Sequence, residues 1–435
     1  MTRKKTTESN GLLSLLAIFL ITFNIYADFG IRKSYGYLVI LAIAVFLAIS
    51  HIVITPFNRY CGWYWLFISP CAIYSLLPIS YFSENTLALT IYMLISGFFI
   101  LCARTSINEA TKILHWIQAF SFLISVYIIF VKLFPSIYES AIAKIITPYS
   151  REAARSLMRQ GYGVPIGDSI TYADYMIAIS LLCILTKGLF SPKEIKINFL
   201  FFAKIAIYVL AVFIENRKSE IFALTVVLLF VFMLSLNPHR VKENIKKVSG
   251  LLMIIIAGLV SIYFLYKSGS LGRYEGVINK ILLRSSYTQD VTGGRFDLWG
   301  KAINLFKEKP VFGIGWEQFL NNNRYRHDVH NTYLQWLCET GLTGFLLIFI
   351  PYIKLFYMSF KTTRKVISDN NRDNNLLTAS VVGTGMQLFF LIINIVDSAF
   401  YHLNFFCFFG LVAILSETSE RAYYLQNTSA RSDLF

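Results

Sequence analysis

Long uninterrupted apolar runs decide what this chain can fold into. A helix needs about 20 apolar residues to cross ~30 Å of hydrocarbon. Windows of that kind recur near 11–27, 35–55, 61–80, 86–103, 113–134, 168–187, 197–215, 219–236, 249–267, 332–358, 375–397 and 399–416. The runs are continuous, not alternating, so they read as helices and not as strands of a barrel. Composition agrees: 56% of the 435 residues are hydrophobic and 15% are charged, where a soluble chain carries about a quarter charged. The expected fold is all-α, a single integral membrane domain over 1–435 with about 12 transmembrane helices. The seventh and eighth windows are joined by so short a loop that a re-entrant pair is the alternative.

The basic residues predict orientation. Arg3-Lys4-Lys5, Arg59, Arg104 with Lys112, Lys187 with Lys193 and Lys196, Arg240 with Lys242, Lys246 and Lys247, and Lys361 with Arg364, Lys365 and Arg372 fall on one side of a twelve-span bundle. That side is the cytoplasm by the positive-inside rule, with both termini on it. The run after Lys5 reads as a retained first span and not as a cleaved leader. The opposite side carries two long loops, a smaller one at 135–167 and a large one at 268–331. Arg32, Lys33, Arg217 and Lys218 sit on that side against the rule. Misplaced charge at a span end points to function. The net charge of +15 does not indicate nucleic-acid binding, because no soluble basic domain exists to do it. The six cysteines form no CxxC pair and mostly lie in apolar spans, so they read as packing residues.

The segment 294–344 is the long polar stretch between spans, and it is internally organised. After Thr292-Gly293-Gly294, residues 295–307 place Leu298, Trp299, Ala302, Ile303, Leu305 and Phe306 on one stripe, the pattern of an amphipathic helix. Arg295 opens that helix, where an interfacial anchor accounts for it as well as catalysis does. Pro310 ends it and Gly313-Ile314-Gly315 makes a turn. His327 and His330 follow, flanked by Arg324 and Arg326, with Arg273 and Arg284 upstream. A neutral imidazole takes a proton near neutral pH, and a guanidinium holds phosphate through a planar fork. His330 and Asn331 fall at the start of the tenth span, where free N–H groups suit an anion. Thr332-Tyr333-Leu334-Gln335 fits a capping box. A surface histidine is the plainer alternative for His330.

Arg217, in the turn Glu215-Asn216-Arg217-Lys218-Ser219, is the second anchor. Glu215 and Glu220 offer it purely structural partners. Arg151, Arg155 and Arg159 share a helix face in the 135–167 loop, and a solvated face is the plain reading. Glu339 is an intramembrane carboxylate that needs a partner, for which an arginine of the site is expected. Asp397 and His402 are weaker candidates. The sequence offers no metal-ligand set and no nucleotide fingerprint, so neither metal nor cofactor is expected. The energy of any reaction must then arrive with the substrate.

Taken together, Gly294-Arg295 with Trp299, Pro310, Gly313-x-Gly315, His330-Asn331, Glu339-x-Gly341-x-x-Gly344 and the distant Arg217 resemble the O-antigen polymerase and ligase superfamily of bacterial envelope enzymes. The upstream arginine of that family is usually followed by small residues, whereas Lys218 follows here. The resemblance implies an inner-membrane glycosyltransferase with its site on the periplasmic face. It implies a donor glycan linked through pyrophosphate to undecaprenol, transferred without metal and with inversion to a sugar hydroxyl. The acceptor is a second lipid-linked glycan in polymerases and the lipid A core in ligases; the block from His330 to Gly341 looks more like polymerases. Membrane lipids and envelope polysaccharide assembly proteins are the implied partners. In this reading His330 is the base, Arg217 and Arg295 stabilise the leaving group, and Arg273, Arg284, Arg326, His327, Asn331, Lys218 and Glu339 line the substrate site. A transporter of lipid-linked saccharide is the non-enzyme alternative, though such proteins carry charge near the midplane in repeated halves.

Overall fold

The computed structural model describes residues 59–81, 84–102, 106–146, 148–159, 162–164, 171–191, 199–215, 217–236, 241–245, 247–249, 294–323, 327–369 and 373–432. The expected spans at 11–27 and 35–55, and all but the first residue of that at 249–267, lie outside these. Among the described residues there is no strand. The longer helices are α1 (Arg59–Leu76), α2 (Glu84–Cys102), α3 (Ile107–Leu133), α4 (Pro148–Arg159), α5 (Thr171–Phe190), α6 (Phe199–Glu215), α7 (Lys218–Leu234), α8 (Arg295–Glu308), the short α9 (Gln318–Asn322), α10 (Thr332–Ser368), α11 (Asn374–Val396) and α12 (Leu403–Ser432). Four helices among the described residues are long and apolar enough to cross a membrane: 107–133, 172–190, 332–368 and 374–396. The all-helical class holds, while a count of twelve spans does not follow from the described residues.

α11 is the axis of the bundle. Its sequence is apolar or small all round, the signature of a helix enclosed on every side, and it is buried along almost its whole length. It packs against α5, α7, α10 and α12. Hydroxyl and amide side chains join these neighbours: Ser359 Oγ lies 2.6 Å from Thr384 Oγ1, and Gln387 Nε2 donates to Tyr60 Oη at 2.7 Å and Ser416 Oγ at 2.8 Å. Helices in lipid gain little from apolar contact alone, so such bonds matter to their association. Outward faces carry exposed Leu66, Leu123, Phe213, Phe222, Leu229 and Leu347, as lipid contact requires. α6 packs on α3 and α5, and α7 packs on α11 and α5.

α10 is broken at Gly341, whose φ of 66° and ψ of −173° are not helical. The break frees carbonyls before it and amides after it, and the 310–315 loop takes both up. Ile314 and Gly315 donate N–H to the carbonyls of Cys338 (3.0 Å) and Glu339 (2.9 Å), while Leu342 and Thr343 donate to those of Pro310 (2.8 Å) and Val311 (3.2 Å). Irregular backbone inside a bundle survives only when satisfied in this way. A Cβ on Gly341 would collide with the backbone of Val311 and Gly313, and one on Gly313 with the backbone of Glu339. The turn expected at Gly313 is therefore a plug in a helix break. α8 lies over it. Leu298, Ala302 and Leu305 are buried against Phe319, Val329 and Cys338, with Trp299 and Phe306 partly so. Ile303, expected on the same stripe, stays 40% exposed.

Replacing Gly341 by Ala should cost about 3 kcal/mol or more, from strain at a glycine-only conformation plus the backbone clash. A thermal midpoint in detergent equal to that of the wild type would show that the break tolerates a side chain.

Candidate functional site

An enclosed helix that ends inside a protein leaves its last carbonyls, and the negative end of its dipole, in need of donors. α11 ends at Val396, and Asp397 adds a full negative charge at the same point. Nitrogen-bearing side chains from three distant parts of the sequence meet there. Arg295, first residue of α8, donates Nη1 to the Val396 carbonyl at 2.9 Å. Arg217, which caps the start of α7, places Nη2 2.8 Å from Asp397 Oδ2. His330 places Nδ1 3.5 Å from Asp397 Oδ1. The backbone locks the arrangement, because Thr332 N–H at the start of α10 donates to the Asp397 carbonyl at 3.3 Å and the Ser398 N–H to Oδ1 at 2.8 Å. The N-termini of α7, α8 and α10 thus converge on the C-terminus of α11.

Arg217 is not an open fork. Besides Asp397 it faces Asp174 Oδ2 at 3.4 Å and Glu220 Oε1 at 2.6 Å, and its side chain is 18% exposed. Desolvation opposes its charge, but the carboxylates of Glu220, Asp174 and Asp397 outweigh that and hold the guanidinium firmly protonated. Burial pushes the Asp397 carboxyl up; the hydrogen bond from His330 and the charges of His402 and Arg217 prevail and hold it far below the usual carboxylate range. A lowered folded value means that its stabilising contribution is complete above the unfolded value, ~3.9, and fades only as pH falls below that. Asp397 is a fixed anion at any physiological pH.

His330 is held in a left-handed conformation, φ 54°, which costs a non-glycine residue roughly 1–2 kcal/mol. Its side chain is 38% exposed. With Nδ1 directed at a carboxylate, the chemistry favours the tautomer that carries its proton there and leaves Nε2 as the acceptor. The expected capping box is not formed. Asn331 is the cap, accepting the Leu334 N–H at 3.0 Å, and Thr332 Oγ1 instead donates to Asn394 Oδ1 at 2.5 Å. His327 is exposed, its backbone bonded to Asn323. Lys218 is exposed beside Arg217. Among the described residues Glu339 meets no arginine: it is fully buried, accepting from Tyr401 Oη at 2.7 Å, Gln335 Nε2 at 3.2 Å and Phe319 N at 3.3 Å. Its partners are neutral donors, and it stands behind the site. Arg273, Arg284 and Arg326 lie outside the described residues. Arg155 pairs with Glu139 and Arg159 with Glu152, so two of the three arginines on that helix have acidic partners. Asp174 escaped the sequence reading, although a carboxylate at the mouth of an apolar span was the available signal.

Residues 176–349 match a family model described as O-Antigen ligase. This segment contains Arg217, Arg295, His330 and Glu339; Asp174 and Asp397 fall on either side of it. A Haemophilus influenzae protein of uncharacterized function is 26% identical over 219 residues, 45% of this chain and 53% of that one. The exopolysaccharide production protein ExoQ of Rhizobium meliloti is 26% identical over 132 residues, 27% of this chain and 28% of its own length. The chain thus spans about half the length, or less, of these curated relatives. The likeness to the O-antigen polymerase and ligase superfamily is shown over that segment, and together with the apolar helices it fits a membrane protein of polysaccharide biosynthesis.

Arg217→Ala would leave Asp174, Glu220 and Asp397 converging without a cation. The expected destabilisation is about 3–5 kcal/mol, the range for removing one partner of a buried ionic group, read as a lowered thermal midpoint in detergent. An unchanged midpoint would mean that the carboxylates are not held together by this side chain.

Proposed function

We propose that the chain transfers a glycan from undecaprenyl pyrophosphate to an acceptor sugar hydroxyl, at the periplasmic face of the inner membrane, as a surface-polysaccharide polymerase. The observation that carries this reading is the carboxylate of Asp397 shared between the His330 imidazole and the Arg217 guanidinium. Asp397 holds the Nδ1 proton, so Nε2 is the base that takes the proton of the acceptor hydroxyl. The acceptor oxygen bonds to the anomeric carbon as the bond from that carbon to the pyrophosphate oxygen breaks. The electron pair leaves with undecaprenyl pyrophosphate, and attack from the opposite side inverts the sugar. Arg295 and Lys218 face the growing negative charge. Arg217 acts mainly one step back, as the cation that fixes Asp397. The activated donor supplies the driving force, and neither metal nor nucleotide is required of the residues named.

The far ends of the helices support the orientation. Lys187, Lys361, Arg364, Lys365 and Arg421 lie at the end of the bundle opposite Asp397, as the positive-inside rule expects of a cytoplasmic end. A relative named for exopolysaccharide production favours chain growth. A family model described as O-Antigen ligase favours the second reading, transfer of the finished glycan to the lipid A core. Deletion in the source strain separates them. Loss of a polymerase leaves single repeat units on the core, whereas loss of a ligase leaves bare core and accumulated lipid-linked polymer.

His330→Asn is the informative substitution, because Asn tolerates the left-handed backbone. It should insert and melt like the wild type and lose transfer by about 10²–10⁴-fold, the worth of a general base. Wild-type turnover in that variant would remove His330 from the chemistry.

A further inference from the structure

Gln335 sits behind the His330–Asp397 pair and touches neither residue. It is fully buried on the second turn of α10. Its Oε1 accepts from the Val329 N–H at 3.3 Å and from Ser398 Oγ at 3.0 Å. Its Nε2 donates to Asp328 Oδ1 and to Glu339 Oε1, both at 3.2 Å. A primary amide offers two acceptor positions and two N–H donors, and all four are in use. Two of the contacts fix its sense: turned over, the amide would set an N–H against the Val329 N–H and an oxygen against the Asp328 carboxylate, while the Ser398 hydroxyl can serve either way.

Each bond holds one half of the site. Asp328 and Val329 lead directly into His330, and Ser398 follows Asp397. The Val329 peptide is gripped from both sides, its N–H by Gln335 and its carbonyl by Trp299 Nε1 at 3.1 Å. That grip immediately precedes the strained φ of His330. Through Glu339 the same amide is tied to Phe319 and Tyr401, hence to the loop that fills the α10 break. A left-handed non-glycine residue persists only where its surroundings over-determine it.

We infer that Gln335 is the positioning residue that sets the distance and angle between His330 and Asp397. The inference rests on the proposed role of His330 as base. Gln335 binds no substrate: it sets kcat and leaves donor affinity alone. No other common side chain supplies the same set of bonds. Methionine matches its length but removes every bond, and glutamate puts an oxygen where the Asp328 carboxylate needs a donor.

The test uses the full-length protein in detergent, with the lipid-linked oligosaccharide fraction extracted from the deletion strain as donor. Gln335→Met should lower kcat about 10- to 100-fold, as a misplacement near 1 Å does, with KM for the donor within about twofold of wild type. Gln335→Glu should be similarly slow at neutral pH and regain rate, relative to wild type assayed at the same pH, as pH falls. The introduced carboxyl, buried beside Asp328 and Glu339, then takes up a proton and its single O–H can donate in place of one of the two amide N–H groups. Gln335→Met has no such group and should show no recovery. His330→Asn, assayed beside them, separates the two claims. If it is inactive while Gln335→Met keeps wild-type kcat, the positioning role falls and the base stands. If His330→Asn turns over normally, both fall. Activity lost only in proportion to folded protein, or a Gln335→Glu profile parallel to that of Gln335→Met, would also overturn the inference.

Discussion

A single carboxylate at the end of the most deeply enclosed helix organises this protein's polar end. Asp397 stands where the α11 dipole is already negative and water is largely excluded, so it demands cationic partners. Arg217 supplies the charge, His330 turns its Nδ1 to the same carboxylate, and Arg295 covers the adjoining Val396 carbonyl. The consequence for chemistry is that Arg217 and His330, far apart in the chain, are held at one point by the Asp397 charge, with Arg295 on the neighbouring carbonyl. It also divides labour between the arginines. Arg217 is committed to Asp174, Glu220 and Asp397, whereas Arg295 gives a described bond only to a backbone carbonyl.

The helix break at Gly341 serves the same end. A continuous α10 would give the 310–315 loop no backbone to pair with. Breaking it lets the loop dock as an added stretch of backbone pairing, and α8 rides on that loop with Arg295 at its start. Glu339, at the break, links the docked loop to Gln335 and so to the peptide before His330. Rigid support of this kind is what a base and its orienting carboxylate need, because catalytic geometry is lost over fractions of an ångström.

Much of this was legible in the sequence because it depends on local pattern. The amphipathic stripe of α8 followed from the spacing of Leu298, Ala302 and Leu305, and the span near 375–397 followed from an apolar run. His330 and Arg217 stood out as polar groups at span ends. The pairing of Arg217 with Glu220 was open to view three residues away. What was not legible depends on contacts between distant segments. Nothing local says that Asp397 meets Arg217 across 180 positions, or that Asp174 joins them. Thr332 and Gln335 carry the letters of a capping box, yet tertiary partners claim both side chains: Asn394 takes Thr332, and four groups take Gln335. Glu339 suggested an arginine partner because an intramembrane carboxylate needs one. A set of neutral donors met that need instead.

The most direct test of the central claim is a density map of the full-length protein holding its extracted lipid-linked donor. The account predicts the pyrophosphate beside Arg295 and Lys218, at hydrogen-bond distances of about 3 Å, with His330 Nε2 turned to the sugar and Asp397 still bridging His330 and Arg217. A headgroup bound away from this end of α11, or an imidazole turned out of reach of Asp397 with donor in place, would contradict it.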